Sequence, residues 1–220
     1  MLKTYETKKA TIQEEILNIG NAVVDALELS LDALKNDDIS KLKSIDLSVK
    51  KISNKSNEID NLIVTTLALY SPEAKDLREL VSYLKITNEL VRAGANTKTF
   101  AKMFRKAYSD DLNTKTILEY AIPLQKSTIL ALQTAMAMLQ ESNSQHIEEK
   151  YQRVIVEESK TDDLYAMVEK NILKLVAKNL ELSKEYFDIL SSLRKLAKTA
   201  DRATSVANLL LFAEVGGEIH

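Results

Sequence analysis

Only four glycines and two prolines are spread over 220 residues, where average usage would supply roughly two dozen. Sheets reverse direction in tight turns, and those turns draw on Gly for positive φ and on Pro for a fixed φ. A chain this short of both cannot make many strand reversals, which argues against all-β and many-stranded α/β folds. Hydrophobic residues make up 45% of the chain, enough for a full core and too many for a disordered polymer. What remains is a helical protein, and the spacing of its apolar residues says how many helices to expect.

Ile12, Ile16, Ile19, Val23, Ala26, Ser30 and Ala33 follow one another at alternating steps of four and three, the stripe of a long amphipathic helix. Leu17, Val24, Leu27, Leu31 and Leu34 widen it to a face that two neighbours can cover. The polar cluster from Lys35 to Asp38 breaks the pattern, which resumes through Leu42, Ile45, Val49, Ile52, Ile59, Leu62 and Ile63 to about Leu69. Ser71-Pro72-Glu73 predicts a restart, with Ser as N-cap and Pro at the first helical position. That third helix carries Leu77, Leu80, Leu84, Leu90 and Phe100 to about Ala107. After the polar break at Ser109–Asn113, a fourth helix contains Pro123, expected as a kink after a short lead-in. A fifth spans roughly Gln145 to Lys178 and a sixth Leu182 to Ala213, stopped by Gly216-Gly217. The sixth stripe is Ile189, Leu193, Leu196, Ala200, Ala203, Ala207 and Leu210; its three consecutive small residues imply close helix contact. Gly20 and Gly94 stand alone inside helices, where close packing explains them.

The two halves read as copies. Leu34 pairs with Leu139, Ile45 with Ile147, Ile52 with Val154 and Leu62 with Leu164, and later Leu84 with Leu190, Leu90 with Leu196 and Ala101 with Ala207. The expected fold is all-α: six long antiparallel helices forming two similar three-helix bundles about a pseudo-twofold, divided into residues 1–109 and 110–220.

Function classes fall away quickly. With no cysteine, disulfides, thiolate metal sites and cysteine nucleophiles are excluded. The two histidines, His146 and His220, are far apart in sequence, which disfavours a His-rich zinc site or a Ser-His-Asp triad. Thirty basic and 32 acidic side chains leave a net charge of -2, with no electrostatic grip on nucleic acid. No apolar run approaches the roughly 20 residues of a membrane span, and the opening MLKTYETKKATIQEE has no signal-type segment. These features predict a cytoplasmic protein. One chemistry deserves weight: carboxylates at i, i+4 share a helix face, and facing helices can assemble them into an oxygen-rich site for iron, manganese or magnesium. Glu158 with Asp162 on the fifth helix, facing Asp201 on the sixth, is the best candidate; solvated charge is the competing explanation.

Three stretches resemble the PhoU family of phosphate-uptake regulators. Ala33-Leu34-Lys35-Asn36-Asp37 is similar to the family's first-helix ending. Pro72, Ala74, Asp76, Leu77, Arg78 and Leu80 match its Pro-x-Ala-x-Asp-Leu-Arg-x-Leu segment. ATSVANLLLFAEVGGEIH resembles its C-terminal helix and Gly-Glu-Ile tail. The resemblance covers nearly the whole chain and implies two similar three-helix bundles. It implies a non-enzymatic adaptor that couples the ATPase subunit of a phosphate ABC transporter to a sensor histidine kinase, possible as a homodimer. Metal clusters are implied where a Leu-Glu-Arg-Ile-Gly/Ala-Asp signature on helices three and six meets acids of the preceding helix. This chain departs from that signature. In the first half Val91 and Ala95 replace both acids, and Ser56 stands beside Asp60. In the second half Ala197 replaces the Glu, while Asp201, Glu158 and Asp162 remain, with Asp163 as a further acid nearby. A mononuclear divalent metal or iron site in the second half is therefore the most the resemblance implies. The alternatives are a divergent helical-bundle metal-binding protein, a paralogue serving a different transporter, a structural helical oligomer, or a ferritin-like carboxylate enzyme. The last needs repeated Glu-x-x-His pairs, which the sequence lacks.

Overall fold

A computed structural model describes residues 2–45, 49 and 51–217. His220, Glu218 and Ile219 of the tail lie outside the described residues. Among the described residues there are six long α-helices and no strand: α1 (Leu2–Lys35), α2 (Ile52–Tyr70), α3 (Ala74–Ala107), α4 (Thr114–Met138), α5 (Ser144–Lys178) and α6 (Ser183–Val215). Short 3-10 segments, Ile39–Ser44 and Leu180–Leu182, precede α2 and α6. At about 1.5 Å per residue, the 34 residues of α1 extend about 50 Å. Consecutive helices α1–α2, α2–α3, α4–α5 and α5–α6 pack side by side across short breaks, so they run antiparallel. None of the described helices is long and apolar enough to cross a membrane.

The apolar stripes become the core. All seven residues of the first stripe, Ile12 to Ala33, and all seven of the last, Ile189 to Leu210, are buried. On the third helix Leu77 is exposed and Leu84 half-buried. The most extensive helix–helix contact is α3 against α6, and α1 against α4 is the other seam between the halves. Polar groups fix the register of both seams. Arg202 Nη1 of α6 donates to Glu89 of α3 at 2.9 Å. On the other seam the fully buried Gln125 amide donates to the Leu27 carbonyl at 2.8 Å and to the Ser30 hydroxyl. Gly20 admits the Met136 side chain so closely that a Cβ there would clash with the Met methyl, which makes this the position where helix contact needs Gly.

Helix ends follow their local chemistry, with two departures. Asn113 caps α4 by accepting from Thr116 N at 3.0 Å, and Asn143 caps α5 through Gln145 N at 2.9 Å. Gly216 and Gly217 take φ of 78° and 102° and end α6. Ser71, expected to open α3, instead closes α2: it is left-handed (φ 46°), and its N–H bonds to Leu67 O at 3.1 Å. Pro72 bars the residue before it from continuing a right-handed helix, and α3 starts only at Ala74. The second departure is Ile39–Ser44, which coils as a 3-10 helix where the stripe predicts α. Leu42 and Ile45 are three apart, a spacing that suits either geometry. Ser40 bonds Asp38 at 2.6 Å and Ser44 bonds Lys41 O at 2.8 Å, local bonds that compete with an α-helical start. α4 runs through Pro123 after a lead-in of about two turns.

Candidate metal centre

α5 and α6 pack against one another, and the facing register brings three acids together. Glu158 and Asp162 are one turn apart on α5, so their carboxylates rise from the same face. Asp201 reaches across from α6. One oxygen of each lies within 4.8 Å of the others, the one group of three or more potential metal donors among the described residues. The backbone beneath is tied down by hydroxyls: Thr161, fully buried, donates to Glu158 O at 2.7 Å, and Ser205 donates to Asp201 O at 3.0 Å.

Burial and mutual repulsion set the electrostatics. The Glu158 carboxyl is pushed above the usual carboxylate range, first by desolvation and then by Asp162 and Asp201. Asp201 is also pushed up, chiefly by desolvation; Arg202 pulls the other way and Asp162 adds to the rise. Arg202 does not neutralise the group outright, because its guanidinium turns to Glu89. The donors are all hard oxygens, the set that Ca²⁺, Mg²⁺, Mn²⁺ or ferrous iron takes. A bound cation would remove the repulsion that now favours protonation.

The expected ligands Glu158, Asp162 and Asp201 are thus brought together, and Asp163 is not; it is exposed and stands outside the group. The acid next to Glu158 in sequence behaves differently. Glu157 is buried and takes an ion pair from Lys160 at 2.6 Å. The corresponding place in the first half carries no such group. Asp60 of α2 accepts a hydrogen bond from Thr87 of α3 at 2.6 Å, Ser56 is buried, and Ala95 is exposed. Sequence reasoning missed Thr87 because a threonine one turn from a stripe carries no metal-site signal. It also missed Arg202, whose pairing with Glu89 depends on the α3–α6 seam.

Two segments, residues 16–104 and 124–210, match the PhoU domain. An all-α fold in which two segments each match this domain is a PhoU-type helical bundle, and the chain belongs to the PhoU family. A phosphate-specific transport system accessory protein PhoU homolog from Xylella fastidiosa is 25% identical over 213 residues, covering 96% of this chain and 87% of the relative. The crystal structure of PhoU from Pseudomonas aeruginosa superposes with a TM-score of 0.83 at 17% identity, over 97% of this chain and 100% of that one. The phosphate transport system regulatory protein PhoU from Streptococcus pneumoniae does so at 0.80 and 19% identity, over 98% and 99%.

Proposed function

We propose that this protein is a non-enzymatic regulator of phosphate uptake and phosphate-responsive signalling. It would act in the cytoplasm by contacting the ATPase subunit of a phosphate ABC transporter and a sensor histidine kinase. The observation that carries this reading is the match of both halves to the PhoU domain, together with relatives named as phosphate transport accessory proteins. We read residues 1–109 and 110–220 as two copies of one three-helix unit, the second keeping more of the acids that the family resemblance implies. Long helices with exposed apolar side chains, among them Val64 on α2 and Met167 and Leu173 on α5, supply surface for partner proteins. Co-purification of the tagged protein with the transporter ATPase and the kinase is the test. Retention of both partners supports the adaptor reading, and retention of neither refutes it.

The convergence of Glu158, Asp162 and Asp201 favours a second property, binding of one hard divalent cation between α5 and α6. These residues would hold the ion, and the ion would supply charge neutralisation that locks the two helices together. Thermal unfolding in the presence of Mn²⁺ or Ca²⁺ reads this directly, independently of any partner.

A further inference from the structure

α6 carries two neighbouring charges that serve different seams. Successive residues of an α-helix point about 100° apart, so while Asp201 faces α5, Arg202 faces α3. Asp201 belongs to the carboxylate group with Glu158 and Asp162. The Arg202 guanidinium crosses the α3–α6 seam and donates from Nη1 to Glu89 Oε2 at 2.9 Å. Both ends of this pair are sheltered, the Glu89 side chain being 15% exposed and that of Arg202 26%. The second Glu89 oxygen lies 3.7 Å from Arg92 Nη1, one turn along α3, and Arg92 itself is exposed.

A cation so close to three acids competes with whatever ion they hold. The Arg202 charge already acts on the Asp201 carboxyl, against the desolvation that raises it. An unmatched positive charge there would oppose a divalent ion, because Coulomb repulsion reaches well beyond contact distance. Paired with Glu89, the guanidinium is drawn towards α3 and its charge is matched by a carboxylate. This pair is not part of the repeated pattern. The offset that relates Leu84 to Leu190 relates Glu89 to Lys195 and Arg202 to Asn96. In the half that lacks the acids, an uncharged Asn and a Lys thus stand where the other half has its ion pair.

We propose that Glu89 is a positioning residue for cation binding between α5 and α6: it holds the Arg202 guanidinium across the seam and cancels a charge that would otherwise repel the ion. The role rests on the reading that Glu158, Asp162 and Asp201 hold a hard divalent cation. Glu89 touches no ion. It acts through Arg202 from the first half of the molecule, so the α3–α6 seam ties that half to the cation affinity of the second. A merely structural ion pair behaves differently. Removing either partner of such a pair loosens the same seam, so any effect on the ion runs in one direction. Glu89 and Arg202 carry opposite charges beside the site, so removing one and then the other moves cation affinity in opposite directions.

The experiment is calorimetric titration of the full chain with Mn²⁺ at neutral pH and low salt, beside urea midpoints in metal-free buffer. Glu89→Gln should weaken Mn²⁺ binding and Arg202→Gln should tighten it, each by about threefold to tenfold for partly screened charges. The double variant should return close to the wild-type affinity. Arg202→Lys keeps the charge and should stay close to it as well. Without metal both single variants should lose a little stability, since both break the same pair. Asp25→Asn, at an exposed acid of α1, should change nothing. Glu89→Gln at wild-type affinity, both single variants moved the same way, or a double variant as weak as Glu89→Gln would each overturn the role of Glu89 and leave the site standing. Asp201→Ala separates those results from failure of the site. A wild type that binds no Mn²⁺, or an Asp201→Ala variant that binds it equally well, overturns the cation reading and the role of Glu89 together.

Discussion

The α2–α3 pair of the first half and the α5–α6 pair of the second stand at equivalent places in the repeated pattern, yet they solve the same contact differently. α5 has 35 residues and α2 has 19. In the second half three carboxylates crowd together, and two of them, Glu158 and Asp201, are held above their ordinary protonation range. In the first half Asp60 takes a hydroxyl from Thr87, and Ser56, Val91 and Ala95 stand where the family resemblance implies further acids. A carboxylate with a hydrogen-bond donor needs no cation, whereas three without a cation repel. The difference shows that the bundle is held by its apolar stripes, and that the polar positions between helices are free to be either a neutral tie or a charged site.

The sharpest way to break this contrast is metal. Added Mn²⁺ or Ca²⁺ at about 100 times its dissociation constant should stabilise the wild type by about 2.7 kcal/mol, read as a higher unfolding midpoint. Asp201→Ala should abolish that gain, and Ser56→Ala in the first half should leave it intact. A midpoint that ignores metal in the wild type would mean that the three acids are solvated charge and that the halves differ only in sequence.

Packing gives the next effect. Ala203 and Ala207 of α6 are fully buried, and α6 packs on both α3 and α5. Leu at either position should overpack that junction by about 1–3 kcal/mol. An unchanged denaturation midpoint in both variants would show that the small residues are not what sets the helix spacing.

Much of this was legible in the sequence, for physical reasons that also mark where legibility ended. Helix number and order follow from stripes of alternating four- and three-residue steps, and those residues are buried because nothing else in the chain can cover the neighbouring helices. Gly216 announced its helix end because a positive φ is a local requirement. Ser71 did not, because its fate depends on which helix claims its N–H, and Ser-Pro serves an ending as well as a start. Ile39–Ser44 misled because a spacing of three fits both helix types. The acids Glu158, Asp162 and Asp201 were legible through family resemblance and i, i+4 spacing. Spacing picked out Glu158 rather than Glu157, whose i+4 neighbour is Thr161, but only the packed bundle shows that Glu157 is buried against Lys160.

The first-half tie can be cut directly. Thr87→Val keeps the shape of the side chain but removes the donor to Asp60, leaving a part-buried carboxylate without its partner. Loss of a hydrogen bond to a charged group costs about 1.5–3 kcal/mol, with the lower end expected for a site that water can reach. Equal urea midpoints for wild type and variant would show that Asp60 is already hydrated and that this tie adds nothing to the first half.

The smallest expected effect concerns pH, and it tests the electrostatics without any metal. Glu158 and Asp201 have folded-state values raised above the unfolded carboxylate range, so the folded protein holds these protons more tightly than the unfolded chain. Their stabilising contribution is therefore fully present below the ordinary carboxylate range and is lost as pH rises through the raised values. Glu158→Gln with Asp201→Asn removes the repulsion but leaves hydrogen-bonding groups of the same size. In metal-free buffer the variant should melt close to the wild type in acid and above it at neutral pH. Because both groups are part-exposed, solvent screening keeps the gap small. Glu141 provides the opposite sign in the same molecule: its bonds to Lys150 and to the backbone N–H groups of Asn143 and Ser142 hold its carboxyl down at about 2. Its contribution is present above the ordinary range and fades as pH falls towards that value. Glu141→Gln should therefore be less stable than wild type at neutral pH and converge with it in strong acid. Opposite signs at neutral pH for the two variants, both vanishing in acid, are what the geometry requires. A wild type more stable than the Glu158/Asp201 variant at neutral pH without metal would mean that Lys198 and Arg202 already balance the three acids, and the contrast between the halves would lose its electrostatic basis.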